Sequence, residues 1–131
     1  MSRVHGTDTT PEMVVRSFLH SRGFRFRLHA SSLPGKPDIV LQRFRTVVLV
    51  NGCFWHHHPH CRRAQLPSSN SRFWKAKILG NRARDRANAR TLRQLGWRVI
   101  VVWECATRKP ARLRAALARL LRMRPGGSKR E

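Results

Sequence analysis

The sequence predicts an α/β protein in which a mixed β-sheet is flanked by helices. Two continuous apolar runs, at residues 47–50 and 99–103, are typical of strands that are buried on both faces. Segments with helical spacing of apolar residues precede, separate and follow these runs, which is an α/β order of elements. The chain has 131 residues, enough for one domain with a modest core. We expect that domain over residues 1–123, and a basic, disordered tail over residues 124–131.

The first helix is predicted over residues 11–22. Thr9 suits the N-cap, Pro11 suits the first turn, and Glu12 follows Thr9 at the spacing of a capping box. Apolar residues then recur on one helical face, and Gly23 marks the end. A cap at the helix start is therefore a structural explanation for Glu12.

Three strands are predicted next, at residues 24–29, 39–41 and 46–50. The first alternates apolar and basic residues, which is typical of a half-exposed strand. Asp38 comes directly before the second strand. Hairpin-like pairing of the second and third strands would bring Asp38 close to Val50 and Asn51. A turn acid after Pro37 is the alternative explanation for Asp38.

The second half of the chain is predicted as a long helix, a strand and a last helix, over residues 71–95, 98–103 and 110–123. Gly96 ends the long helix. Its inward-facing stripe is expected to contain Leu79, Ala83, Ala87, Leu92 and Leu95. The last helix is expected to pack through Leu113, Ala116, Leu117 and Leu120.

The charge balance points to nucleic acid. Lys and Arg number 28 against 6 Asp and Glu, which gives a formal net charge of +22. So strong a positive field attracts polyanions, although a merely soluble basic surface is the alternative. No apolar stretch approaches the roughly 20 residues of a membrane span, and no secretory signal is visible. We therefore expect a cytoplasmic, nucleoid-associated protein with no membrane partner.

Cysteine and histidine spacing predicts a zinc site. Cys53, His58 and Cys61 follow the third strand in C-x4-H-x2-C order, and Cys105 follows the strand at 98–103. Structural zinc sites commonly combine three thiolates with one imidazole. An odd number of cysteines fits poorly with a disulfide framework. Reduced thiols beside an exposed histidine cluster are the alternative, and several neighbouring histidines could supply the nitrogen: His56, His57 and His60.

A second group of residues suits phosphodiester hydrolysis. Such a reaction uses a hard cation such as Mg²⁺, which prefers carboxylate oxygens and water, and a group that transfers a proton near neutral pH. Asp38 and Glu12 could supply the carboxylates, and His56 the proton transfer. Composition alone favours these roles no more than the structural ones.

Four segments carry a family resemblance: LPGKPDIV at 33–40, NGCFWHHH at 51–58, FWKAKILGNRARD at 73–85 and LGWRVIVVWEC at 95–105. Together they resemble the very short patch repair endonucleases, a DNA mismatch endonuclease family, over about residues 2–108. The resemblance implies a restriction-endonuclease-like core that binds Mg²⁺ and, separately, a structural Zn²⁺. It also implies strand-specific nicking of double-stranded DNA on the 5′ side of a thymine mispaired with guanine, by a monomer.

The resemblance also implies roles for individual residues. Asp38 matches the family's Mg²⁺-binding aspartate, and Glu12 matches a helix glutamate near the metal. His56 matches the catalytic histidine, and the backbone carbonyl of Val50 matches a metal contact. The implied zinc ligands are Cys53, His58, Cys61 and Cys105. The implied DNA contacts are the aromatic wedges Phe54, Trp55 and Trp74, together with Lys77 and Asn51.

Two features depart from the family pattern. Asn51 replaces a histidine or aspartate, so it can hydrogen-bond a phosphate but cannot titrate. The loop is one residue longer, at Pro59, which leaves His58 and His60 as alternative zinc ligands. Two other functions stay open at this point. One is a non-catalytic, zinc-stabilised module that binds DNA or RNA, and the other is a nuclease with a relaxed mismatch preference.

Overall fold

The structure, a computed structural model, describes residues 9–56 and 58–123. The tail predicted over residues 124–131 lies outside this part of the chain. The helices are α1 (Thr10–Ser21), α2 (Ser71–Gln94), α3 (Pro110–Ala116) and α4 (Ala118–Arg122). The strands are β1 (Arg27–Leu28), β2 (Ile39–Leu41), β3 (Thr46–Asn51) and β4 (Arg98–Trp103).

The four strands form one mixed sheet in the order β1-β2-β3-β4. β2 pairs antiparallel with both β1 and β3, whereas β3 and β4 are parallel. Val50 lies opposite Val102, and Asn51 lies opposite Trp103. Because parallel strands end at the same edge of a sheet, the histidine-rich loop after β3 begins beside the turn after β4. The predicted mixed sheet is confirmed.

Helices cover both faces of the sheet. On one face α1, α3 and α4 bury a large apolar cluster against the strands; its helical members include Val15, Leu19, Leu113, Leu117 and Leu120. On the other face the C-terminal end of α2 packs Leu92, with the nearby Trp97, against Val40, Val47 and Val99. The result is a three-layer arrangement with the sheet in the middle. None of the helices in the described ranges is long and apolar enough to cross a membrane.

The predicted inner stripe of α2 is wrong except at Leu92. Ala83 and Ala87 are exposed, and Leu79 and Leu95 are 55% and 51% exposed. Ile78 is buried instead, one residue before the predicted position. The reason is that the middle of α2 turns polar side chains, among them Asn81 and Asp85, toward the loop after β3. Apolar periodicity therefore does not mark the inner face of this helix.

Two other elements differ from expectation. β1 contains only two residues, and Phe24, predicted to begin it, lies in the core instead. The last helix is divided at Leu117 into α3 and α4. Hydrogen bonds from Leu117 N to Leu113 O and from Leu121 N to Leu117 O continue across the division. The leucines predicted to face inward, at 113, 117 and 120, are all buried.

Candidate active site and metal centre

Asp38 lies at the edge of the sheet where β2 begins and β3 ends. Its Oδ2 accepts a hydrogen bond of 2.7 Å from the backbone N–H of Val50. Ile39 pairs antiparallel with Val48. This register places Asp38, the residue before β2, beside the last residues of β3 and so allows the contact. The expected proximity of Asp38 to Val50 is therefore observed.

The environment of Asp38 disfavours its charged form. Burial raises the pKa of Asp38 from its usual 3.8 to about 6. The hydrogen bond from Val50 acts in the opposite direction, and the negative charge of Glu12 adds to the rise. The positive charges of His29 and His56 partly offset it. A carboxylate that is costly to ionise near other titratable groups is typical of a functional site.

Glu12 points from the first turn of α1 into the same region. It is 1% exposed, and its Oε2 lies 2.6 Å from His29 Nε2 and 3.1 Å from Arg16 Nη1. The predicted N-cap is present too, since Thr9 Oγ1 accepts a hydrogen bond of 3.4 Å from Glu12 N. Here the cap hydroxyl bonds the backbone of Glu12, and the carboxylate of Glu12 is directed toward the sheet edge.

His29 is a member of this group that the sequence analysis missed. It follows β1, and its N–H donates to the carbonyl of Asp38 over 3.0 Å. Ligand atoms of Glu12, His29 and Asp38 all lie within 4.8 Å of one another, so the three side chains could hold a metal ion. His29 could have been identified from its position at the end of the alternating first strand, because that strand pairs with the strand that follows Asp38.

His56 is held by Asp85, a partner that the sequence analysis also missed. Nδ1 of His56 pairs with Oδ2 of Asp85, which projects from the middle of α2. An acceptor at Nδ1 fixes the ring orientation and leaves Nε2 to exchange a proton with a substrate. The available signal was that Asp85 is the only acid between Asp38 and Glu104.

The four predicted zinc ligands come together at the same end of the sheet. His58 Nδ1 lies 3.5 Å from Cys105 Sγ and 3.7 Å from Cys53 Sγ. With Cys61, all four ligand atoms lie within 4.8 Å of one another. Tetrahedral zinc with bonds of about 2.0–2.3 Å suits ligand atoms at such separations. The chemistry of this donor set, three thiols and one imidazole, fits a structural metal site.

The surroundings favour His58 as the imidazole of this group. Its ring stacks on Trp103 with centroids 4.2 Å apart. Burial, with a contribution from the charge of Arg112, lowers the pKa of His58, and this favours the neutral form of the ring that a metal ligand requires. His60 is exposed and is not a member of this ligand group.

The Cys53 thiol is buried beside the other two thiols of the group. Burial raises the pKa of Cys53 to about 12, with contributions from the neighbouring Cys105 and Cys61. A bound divalent cation reverses this preference, because a coordinated thiol loses its proton. Backbone contacts also connect the two segments: Cys105 N donates to Cys53 Sγ over 3.4 Å, and Cys53 N donates to Glu104 Oε1 over 3.2 Å.

The predicted wedge residues form one aromatic cluster beside this centre. Phe54, Trp55 and Trp74 meet edge to face, with centroid distances of 5.1, 5.5 and 5.7 Å. Phe73 extends the cluster, 5.1 Å from Trp74, and is 60% exposed. The side chain of Asn81 donates to the carbonyl of Trp55 over 2.8 Å and so connects the loop to α2.

The polar residues predicted to contact DNA differ in exposure. Lys75 and Lys77 are exposed on α2 beside the aromatic cluster. Asn51 is only 9% exposed at the end of β3. The exposure of Lys77 is compatible with a phosphate contact, and both contacts stay predictions.

Comparison with known proteins places this arrangement in context. The family profile described as DNA mismatch endonuclease Vsr matches residues 1–63. A type II nicking enzyme of Xanthomonas oryzae pv. oryzae, V.XorIIP, is 50% identical over 121 residues, which are 92% of this chain and 88% of that protein. The nicking enzyme V.NmeAIP of Neisseria meningitidis serogroup A is 45% identical over 93% of this chain and 86% of its own length. The DNA mismatch endonuclease Vsr of Escherichia coli K12 is 44% identical over 82% of this chain and 69% of its own length.

Proposed function

Because the chain belongs to the Vsr family of DNA mismatch endonucleases, we propose that it nicks one strand of duplex DNA on the 5′ side of a thymine mispaired with guanine. The chain is an endonuclease, and its relatives include several type II nicking enzymes. Family membership also disfavours a non-catalytic nucleic-acid module. We also propose that nicking requires Mg²⁺.

One observation carries this proposal. Two carboxylates and an oriented imidazole come from separate elements to the edge of the sheet where β2 begins and β3 ends. Asp38 is close enough to both Glu12 and His56 for their charges to shift its pKa. This juxtaposition at the edge of a mixed sheet also supports a restriction-endonuclease-like core.

In the proposed reaction Asp38, Glu12 and the carbonyl of Val50 would hold Mg²⁺. When bound, this cation would supply Lewis acidity to the phosphate and to a water molecule. His56 exchanges a proton at Nε2 while Asp85 holds Nδ1. Asp38 keeps its position through the hydrogen bond from Val50, so the geometry at the phosphate is preorganised.

We assign the second group to a structural Zn²⁺ held by Cys53, His58, Cys61 and Cys105. This ion connects the loop after β3 to the turn after β4. His56 and the aromatic cluster lie on that same loop. The zinc therefore keeps the catalytic imidazole and the wedge residues in register with the sheet, without entering the chemistry.

Mismatch preference is assigned to the aromatic cluster. Inserting apolar side chains between base pairs costs a few kcal/mol of stacking. That cost is lowest at a mispair, which is one source of selectivity. Phe54, Trp55 and Trp74 support one another edge to face, so they can enter the duplex as a rigid group. The exposed Lys77 lies on the same helix as Trp74, where it can bind an adjacent phosphate.

A nicking assay tests the proposal directly. End-labelled duplexes that differ only at one T:G or T:A pair are incubated with the zinc-loaded protein, with and without added Mg²⁺. We expect nicking of the thymine strand in the T:G duplex, only when Mg²⁺ is present. His56→Gln should abolish it, whereas the same exchange at the exposed His20 should not.

Three other results of the assay would change the proposed function or mechanism. Equal cleavage of the T:A duplex would replace the mismatch-specific function with that of a nuclease of relaxed preference. Nicking without added Mg²⁺, or undiminished nicking by His56→Gln, would overturn the proposed mechanism.

A further inference from the structure

His29 lies very close to Glu12, although Glu12 already has a positively charged partner. Arg16 already provides a cation at 3.1 Å from Glu12 Oε2. His29 Nε2 lies 2.6 Å from the same oxygen, and ligand atoms of His29, Glu12 and Asp38 all lie within 4.8 Å of one another. The imidazole is therefore within reach of a cation bound by the two carboxylates.

The backbone fixes His29 in this position. It has a φ of 48°, in the left-handed region that residues other than glycine seldom occupy. Two hydrogen bonds hold the strained segment, from His29 N to Asp38 O and from Ala30 N to Pro37 O, at 3.0 and 3.2 Å. The first of these bonds joins the backbones of His29 and Asp38 directly. Strained residues of this kind cluster at active sites and ligand clamps.

The separations suit a shared ion. Adjacent ligands of an octahedral cation with bonds of about 2.1 Å lie about 3 Å apart. The 2.6 Å between His29 Nε2 and Glu12 Oε2 needs only a small opening to reach that value. The His29 side chain is 19% exposed, so a hydrated ion can reach it.

The identity of the donor atoms decides which cation the group prefers. Mg²⁺ prefers oxygen ligands and keeps several waters. Imidazole nitrogen suits first-row transition metals, and their affinity for mixed nitrogen and oxygen sites rises from Mn²⁺ along the series. A nitrogen in the coordination sphere therefore favours Mn²⁺ over Mg²⁺.

We propose that His29 Nε2 is a direct ligand of the divalent cation bound by Glu12 and Asp38, so that this centre binds Mn²⁺ more tightly than Mg²⁺. The inference rests on the proposed function, because it takes these two carboxylates as the ligands of the catalytic cation. It adds a nitrogen ligand and a metal preference to that site.

Metal binding without DNA tests the proposal. The zinc-loaded full chain is titrated with Mn²⁺, free Mn²⁺ is followed by electron paramagnetic resonance, and Mg²⁺ affinity is obtained by competition. We expect Mn²⁺ to bind at least about 10-fold more tightly than Mg²⁺. His29→Gln should weaken Mn²⁺ binding by about 10-fold or more, and Mg²⁺ binding by less than about 3-fold. His20→Gln is the matched control and should change neither affinity.

Pulsed electron paramagnetic resonance gives a readout that a merely structural role of His29 would not produce. Bound Mn²⁺ should show the ¹⁴N coupling of a coordinated imidazole in the parent protein and in His56→Gln. Detection of the coupling in these two proteins does not require the His29 variant to fold. The coupling should be lost in His29→Gln. Absence of the coupling in the parent, or its persistence in a folded His29→Gln, would overturn the assignment.

The two proposals can fail separately. A protein that nicks T:G duplexes but shows no nitrogen coupling would refute the role of His29 and leave the nicking proposal intact. Nitrogen coupling in a protein that nicks no duplex would support the His29 ligand and refute the nicking proposal.

Discussion

At the scale of single residues, the buried charge of Asp38 lowers the stability of the fold, and the proposed role in cation binding explains why the residue is there. Burial raises its pKa from 3.8 to about 6, so the folded chain holds this proton more tightly than the unfolded chain does. Between these two values stability falls as pH rises, because the folded state binds more protons than the unfolded state. A cation bound by the carboxylate would remove this penalty when the site is loaded.

Asp38→Asn should therefore stabilise the protein in the absence of added Mg²⁺ or Mn²⁺. The amide oxygen can still accept the hydrogen bond from Val50, while the unfavourable charge is gone. The rise from 3.8 to about 6 corresponds to at most about 3 kcal/mol above pH 6, and partial solvent exposure lowers this value. Thermal unfolding of the zinc-loaded protein at pH 7.5 measures the gain.

Measuring the stability of Asp38→Asn and the parent at low pH provides a control. Near pH 4 the carboxyl is protonated in the folded protein, so the advantage of Asp38→Asn should shrink toward zero. Nicking should be lost at every pH, because the amide cannot replace a carboxylate as a cation ligand. A variant that is less stable than the parent at pH 7.5 would contradict the cost assigned to the buried charge.

In the proposed reaction Asp85 acts only through His56. Asp85→Asn can keep a hydrogen bond to Nδ1 but favours the wrong tautomer of the ring. We expect kcat to fall by about 10²- to 10⁴-fold. Removing a negative charge beside bound DNA should leave KM unchanged or lower it. Single-turnover nicking and DNA binding, measured in parallel, separate the two effects.

An Asp85→Asn variant that nicks within about twofold of the parent would show that the ring needs no acceptor at Nδ1. Loss of DNA binding with unchanged single-turnover rate would instead assign Asp85 to the binding surface. We expect the opposite result, a lower single-turnover rate with DNA binding retained.

At the scale of elements, α2 combines two tasks that its sequence does not separate. Its C-terminal end packs on the sheet through Leu92, and its middle contacts the loop after β3 through Asn81 and Asp85. Polar residues therefore occupy inward-facing positions, and apolar residues such as Leu79 face outward.

Adjacent alanine substitutions test this orientation of α2. Ile78 is 2% exposed, so Ile78→Ala should cost about 2–4 kcal/mol of unfolding free energy through lost burial and a cavity. Leu79 is 55% exposed, and Leu79→Ala should change stability by less than about 0.5 kcal/mol. Denaturant unfolding of the two variants measures the difference, and equal costs would contradict the observed helix rotation.

At the scale of the whole molecule, parallel pairing of β3 and β4 creates the proposed zinc site. It brings Cys105 beside Cys53, although 52 positions separate them in the chain. A metal that bridges two such distant segments restricts the unfolded chain and adds its binding energy to folding. The zinc site should therefore contribute to global stability as well as to the shape of the loop.

Two histidines of the same loop allow a matched test of that contribution. His58→Asn should lose zinc and more than about 3 kcal/mol of stability, because a structural zinc needs its fourth ligand. His60→Asn should retain one zinc per chain, since His60 lies outside the ligand group and asparagine tolerates its left-handed φ of 57°. Zinc content and thermal unfolding provide the measurements. Zinc loss from the His60 variant alone would reverse the assignment.

The helices, the strands and the kinds of chemistry could be predicted from the sequence alone. Thr9 and Pro11 mark the start of α1, the apolar runs mark β3 and β4, and three cysteines with nearby histidines indicate a metal site. These signals are local, because caps, strand periodicity and ligand types depend on residues near one another in the chain.

Which side chains lie together depends on the three-dimensional fold. His29 joins Glu12 and Asp38, Asp85 holds His56, and His58 rather than His60 approaches the cysteines. Each pairing depends on how two separate elements pack, on the rotation of α2 and on the short extent of β1. Local patterns contain no information on those relative positions, because the packing of distant segments sets them.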